Sequence, residues 1–203
     1  MRIGIDFDNT LVCYDRLFHR AALDAGLIPA DVAQSKNAVR DYLRQAGREP
    51  AWTELQGIVY GARMSEAEAY PGSIAFLEAA RNNGWDVFIV SHKTRTPIIG
   101  PAYDLHAAAR EWLAANVGEM LVPEHRTCFE VTKEEKLARI GAVGCMIFVD
   151  DLPEILTAPG FPSNVGRWLF DPANAFAAVT GVKRFHAWPE LTEALGLQSR
   201  KVA

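Results

Sequence analysis

Long apolar runs, clusters of basic residues and paired cysteines are all missing from this sequence. No apolar stretch approaches the roughly 20 residues that cross a bilayer, so a membrane-spanning helix is not expected. Lys and Arg number 21 against 25 Asp and Glu, a formal net charge of -4, and the bases form no run. Such a balance disfavours a polyanion track, and nucleic acid is not an expected partner. The cysteines are Cys13, Cys128 and Cys145, an odd number with no CxxC spacing. A disulfide framework or zinc site is therefore not expected, and reduced thiols in a cytoplasm fit better. Cys128 and Cys145 lie in strand-like runs and read as buried small apolar side chains. The opening MRIGIDFDNT reaches an acidic residue by position six and lacks the pattern of a signal peptide. Together these features predict a cytoplasmic protein.

What remains is ordinary globular material, with 49% hydrophobic and 23% charged residues over 203 positions. That length suits one domain, or one domain carrying a modest insertion. Short apolar runs that end in polar breaks predict strands at 2–7, 86–91, 126–131, 145–150 and 167–170. Helical patterns lie between them at 73–83 before Gly84, 104–117 before Gly118 and 133–140 before Gly141. Strands alternating with helices imply a parallel sheet, in which ligands gather at the carboxyl ends of the strands.

One stretch departs from this rhythm. From about Tyr14 to Tyr70 the sequence reads as successive helices at 15–26, 31–47 and 49–61, with a turn signal at Tyr70-Pro71-Gly72. An all-helical insert placed directly after the first strand has the composition of a lid. The competing reading is a set of helices that simply cover the sheet.

Four positions could carry chemistry. Asp6-Phe7-Asp8-Asn9-Thr10 follows the apolar run Ile3-Gly4-Ile5, and two carboxylates spaced by one residue can share a hard cation or divide catalytic labour. An acidic turn is the plainer explanation. Asp150-Asp151 leaves a second apolar strand, where a cation would offset the repulsion between buried carboxylates. Asp151 also reads as a helix cap before Leu152-Pro153-Glu154, leaving Asp150 for the metal. Ser91 ends the run Asp86–Val90 and could hold a phosphoryl oxygen, although Ser ends many strands. Lys133 and Lys136 both stand near a helix start before the Asp150 strand, where a lysine could neutralise phosphate or merely face solvent.

Taken in chain order, DFDNT after an apolar strand, Ser91 after a second, a lysine and then Asp150-Asp151 after a further strand, the four signals resemble the haloacid dehalogenase (HAD)-like hydrolase superfamily. The resemblance implies a Rossmann-like three-layer α/β/α core with a parallel sheet at 1–13 and 71–203, and a small all-helical cap at 14–70. It implies a Mg2+-dependent phosphatase that hydrolyses a small-molecule phosphate monoester, such as a sugar phosphate or nucleoside monophosphate, through an aspartyl-phosphate. Asp6 would be the nucleophile, and Asp8 the acid and then the base. Ser91 and Lys136 would bind the phosphoryl group, with Lys133 the rival lysine. Asp6, Asp8 through its backbone carbonyl, and Asp150 supported by Asp151 would hold Mg2+. A sugar phosphomutase and a receiver-type phospho-accepting module are the alternatives. His92, Lys93 and Arg95 should border the site mouth and could touch a leaving group, or form a solvated loop. His106 and Arg110 read as exposed helix residues.

Overall fold

The computed structural model describes residues 1–197. In chain order the elements are β1 (Arg2–Ile5), β2 (Val12–Cys13), α1 (Asp15–Asp24), α2 (Lys36–Gln45), α3 (Glu49–Tyr60), β3 (Glu68–Ala69), α4 (Ser73–Asn82) and β4 (Asp86–His92). They continue with α5 (Leu105–Asn116), β5 (Thr127–Glu130), α6 (Lys133–Val143), β6 (Ile147–Asp150), α7 (Pro153–Leu156), β7 (Gly166–Phe170), β8 (Lys183–Phe185) and α8 (Trp188–Ala194).

The chain forms two units. The first comprises Met1–Leu11, Ala69–His92 and the described residues from Val117 on. Among the described residues it carries a parallel six-stranded sheet in the order β5-β4-β1-β6-β7-β8. Side chains alternate across a strand, which explains the layers on its faces. Val90, Phe148 and Leu169 pack with Ile140 of α6 and Ile155 of α7. Phe170, the next residue along β7, turns the opposite way and meets Trp188 of α8, with ring centroids 5.5 Å apart. Trp188 in turn packs on Phe76 of α4 at 4.9 Å. This is the α/β architecture expected from the sequence.

The second unit comprises Val12–Glu68 and Lys93–Asn116. Its core is aromatic: Phe18 of α1 lies between Trp52 (4.9 Å) and Tyr60 (5.5 Å) of α3. The Trp112 indole of α5 donates to the Ala67 carbonyl at 2.8 Å.

Several boundaries differ from the sequence reading. Helix α6 does not stop at Gly141 but runs to Val143, and Gly144 at φ 62° supplies the left-handed stop. Helix α2 begins at Lys36 rather than 31, because the Ser35 hydroxyl accepts the Ala38 N–H at 3.1 Å and fixes the start there. Strand β8 has no apolar run to announce it, since only Phe185 of its three residues is buried. Cys145 is buried as expected, and burial pushes its thiol up to about 11; Cys128 is half-buried.

Gly4 shows why the central strand reads as it does. It pairs in register with Phe148, and a Cβ at Gly4 would stand 2.5 Å from that ring and 3.2 Å from the Cys145 sulfur. Overpacking of this kind costs about 1–3 kcal/mol, so Gly4→Ala should lower the stability read from a denaturant titration by that amount. A midpoint equal to wild type would show that the ring moves freely.

Candidate active site

The site is assembled at the carboxyl ends of three adjacent strands. Strand β1 lies between β4 and β6, with Ile5 opposite Ile89 on one side and Val149 on the other. The Asp6 N–H continues the ladder by donating to the Val149 carbonyl at 2.9 Å. Asp6 is therefore held by strand geometry although it lies just past the strand. The chain then turns sharply, and Leu11 N–H donates to the Phe7 carbonyl at 3.2 Å. Asn9 takes a left-handed φ of 59°, which Asn tolerates better than most side chains. The turn brings the Thr10 hydroxyl within 3.4 Å of both Asp6 Oδ2 and Asp151 Oδ1.

The neighbouring strands supply the rest. Ser91 Oγ, near the end of β4, donates to Asp6 Oδ1 at 2.9 Å. Asp150 ends β6, and its Oδ1 accepts the Leu152 N–H at 2.9 Å. Lys136 stands in the first turn of α6, whose start is fixed by a reciprocal cap between Thr132 and Glu135. Its Nζ lies 2.6 Å from Asp6 Oδ1 and 2.6 Å from Asp150 Oδ2.

Asp6, Ser91, Lys136 and Asp150 are each no more than 4% exposed, so their charges act with little water between them. Burial alone would lower the Lys136 ammonium, but Asp150 and Asp6 outweigh it and hold the group above the ordinary lysine range. Burial, reinforced by the Asp6 charge, pushes Asp150 up to about 6 against the opposing pull of Lys136. One oxygen each of Asp6, Asp150 and Asp151 falls within 4.8 Å of the others. Three carboxylate donors exceed what one ammonium neutralises, and the set fits a divalent cation.

Four predicted positions thus meet: Asp6, Ser91, Lys136 and Asp150. Asp8 lies half-buried in the turn, and the converging carboxylate triad is completed by Asp151. Asp151 is not the cap of α7. That helix begins after Leu152 with no side-chain cap, and it is Asp150 that accepts an N–H two residues on, as aspartates readily do. Lys133 lies at the surface, paired with Glu154 at 2.5 Å. The His92 Nε2 is engaged by the backbone, donating to the Val131 carbonyl at 3.1 Å. Lys93 is not part of a solvated loop. It is buried in the second unit, its ammonium 4.9 Å from the Tyr60 ring centroid. Arg95 is exposed. His106 is buried rather than exposed, with Nε2 donating to the Lys93 carbonyl at 2.7 Å, and Arg110 is half-buried.

No family profile matches the sequence, and no curated protein is significantly similar to it. Solved structures do match over nearly the full chain. A HAD family hydrolase from Deinococcus radiodurans R1, with bound phosphate and sodium, superposes with a TM-score of 0.58 at 17% identity, covering 98% of this chain and 97% of that one. A HAD phosphatase from Thermococcus onnurineus gives 0.51 at 14% identity, covering 97% and 98%. The chain has the HAD-like fold. Protein tyrosine kinase A of Mycobacterium tuberculosis is a further match, with a TM-score of 0.61 at 19% identity over 96% and 97% of the two chains. In this HAD-like fold, sequence reasoning missed Thr10, although it is the last residue of the DFDNT run. It also missed Trp188, whose indole N–H donates to the Thr10 carbonyl at 3.2 Å from 178 positions away. A tryptophan at the start of a helix carries no signal of that kind.

Proposed function

We propose that the protein is a Mg2+-dependent phosphatase that hydrolyses small phosphate monoesters through a phosphorylated Asp6. The observation that carries this reading is the convergence of Asp6, Ser91 and Lys136 beside Asp150 and Asp151 in a buried cluster. HAD-like neighbours described as hydrolases and phosphatases, one of them holding phosphate, support the same reading.

Asp6, Asp150 and Asp151, with the Asp8 backbone carbonyl, would hold the cation, which when bound offsets the negative charge shared by nucleophile and phosphate. The Ser91 hydroxyl and the Lys136 ammonium then orient phosphoryl oxygens. A carboxylate nucleophile has no proton to lose, so Asp6 needs no general base to attack. An Asp6 oxygen forms a bond to phosphorus while the ester P–O bond breaks, and the Asp8 carboxyl gives its proton to the departing oxygen. Water then attacks phosphorus with Asp8 as the base, the acyl-phosphate bond breaks, and inorganic phosphate leaves with the Asp6 carboxylate restored. Most of the work is positioning and charge neutralisation, as phosphoryl transfer requires.

The helical insertion at 14–70 serves in this reading as a cap that admits small esters, such as sugar phosphates or nucleoside monophosphates. It leaves the chain directly after the Asp6 turn, and its stems are joined where Tyr70 N–H donates to the Leu11 carbonyl at 2.9 Å.

A panel of sugar phosphates and nucleoside monophosphates, assayed for inorganic phosphate with Mg2+ and with EDTA, tests the proposal. Release is expected with Mg2+, lost with EDTA, and restored by excess Mg2+. Phosphate release no greater than that of Asp6→Asn across the whole panel would remove the reading.

A further inference from the structure

Trp188 is fully buried at the start of α8, remote in sequence from every residue of the cluster. A buried indole N–H ordinarily finds some acceptor, so a hydrogen bond there needs no functional explanation. The acceptor it finds is the unusual part. It is the carbonyl of Thr10, at 3.2 Å. The hydroxyl of that same residue lies 3.4 Å from Asp6 and 3.4 Å from Asp151, and the residue before it, Asn9, has a left-handed φ of 59°. A turn through a sparsely populated backbone region persists only where its surroundings over-determine it. The indole is itself fixed, between Phe76 at 4.9 Å and Phe170 at 5.5 Å. At the base of the side chain, the Trp188 Cβ lies close enough to Gly72 that a Cβ added there would stand 3.3 Å from it.

We infer that Trp188 is a positioning residue of the active site. It anchors the Thr10 carbonyl so that the Thr10 hydroxyl spans the Asp6 and Asp151 carboxylates, setting the nucleophile against the cation-binding oxygens. The inference rests on the proposed role of Asp6 for its kinetic consequence but not for its effect on cation binding.

Trp188→Phe keeps a large aromatic ring and removes the donor. Its kcat should fall about tenfold with KM changed by less than about twofold, because a small misplacement of reacting groups slows chemistry without removing substrate contacts. Mg2+ affinity measured by calorimetry should fall as well. Trp112→Phe is the control: it also deletes a buried indole hydrogen bond, to Ala67, and should lower Tm while leaving kcat and Mg2+ affinity unchanged. If Trp188 acts through Thr10, the double variant Thr10→Val/Trp188→Phe should match Thr10→Val alone.

Multiplying losses in the double variant, or a Trp188→Phe protein that loses only Tm, would overturn the inference. Should that variant fail to fold, β-(3-benzothienyl)alanine at position 188 preserves the ring shape and deletes only the N–H; unchanged kcat and Mg2+ affinity would then overturn it equally. If wild type hydrolyses no ester, the proposed function fails, and the calorimetric contrast between the Trp188 and Trp112 variants still decides the positioning role.

Discussion

Asp6→Asn should abolish phosphate release while leaving the fold intact. Asparagine matches aspartate in shape and keeps an oxygen that can accept from Ser91 and Lys136, which lie 2.9 Å and 2.6 Å from Asp6 Oδ1. What it loses is the anionic oxygen that would attack phosphorus. Removing a covalent nucleophile typically costs a factor of roughly a thousand or more in kcat. The check is turnover of the best ester in the presence of Mg2+, beside circular dichroism and a thermal melt of the same preparation. Mass spectrometry of quenched wild type should place a phosphoryl adduct on the peptide containing Asp6. Turnover of Asp6→Asn within about tenfold of wild type would remove Asp6 from the nucleophile's role.

Lys136→Met is the second large effect, and it acts first on stability. Lys136 is 2% exposed, and its ammonium touches two buried carboxylates at 2.6 Å. Methionine fills similar space but leaves Asp6 and Asp150 facing each other uncompensated. Breaking a buried ion pair from one side costs about 3–5 kcal/mol, which a urea titration at neutral pH should register. The pH dependence has a definite sign. Asp150 already sits high, at about 6, so the folded protein binds its proton more readily than the unfolded chain does. Its contribution to stability therefore rises as pH falls from about 6 towards its ordinary value of 3.8. Without Lys136 that recovery should be larger, and Mg2+ should restore part of the loss at neutral pH. In wild type, Lys136 is raised by its partners, so its own stabilisation is complete below 10.5 and fades as pH climbs beyond it. A Lys136→Met midpoint insensitive to both acid and Mg2+ would show that the carboxylates relax apart. Phosphate release should be lost as well, since in the proposed mechanism the Lys136 ammonium orients the phosphoryl group.

Much of this arrangement is legible in the sequence because strand ends carry it. Ile3-Gly4-Ile5 before Asp6, Val87-Phe88-Ile89-Val90 before Ser91 and Ile147-Phe148-Val149 before Asp150 declare both the strands and the polar residues at their tips. Lys136 separates from Lys133 only in space, since both stand near the same helix start and only one turns inward. Buried positions among polar neighbours are not legible. Lys93 and His106 sit in stretches that read as solvated, and their burial comes from packing within the second unit that no local pattern encodes. The role of Asp151 is hidden for a similar reason. A carboxylate before Leu152-Pro153 suits a cap, but Asp150 takes the nearby N–H and leaves Asp151 to face Thr10. Strand β8 escapes notice because an edge strand of three residues needs only one buried side chain.

The position of β1 in the sheet has a consequence for biosynthesis. Its partners are Asp86–Ile89 on one side and Ile147–Val149 on the other, so both are synthesised long after it. At roughly 5–20 residues per second, the nascent strand waits on the order of ten seconds before both its backbone edges can be paired. Unpaired edges recruit other chains, and non-local pairing forms slowly. The strand that leads into Asp6 is thus also a segment in need of protection while the polypeptide is being made.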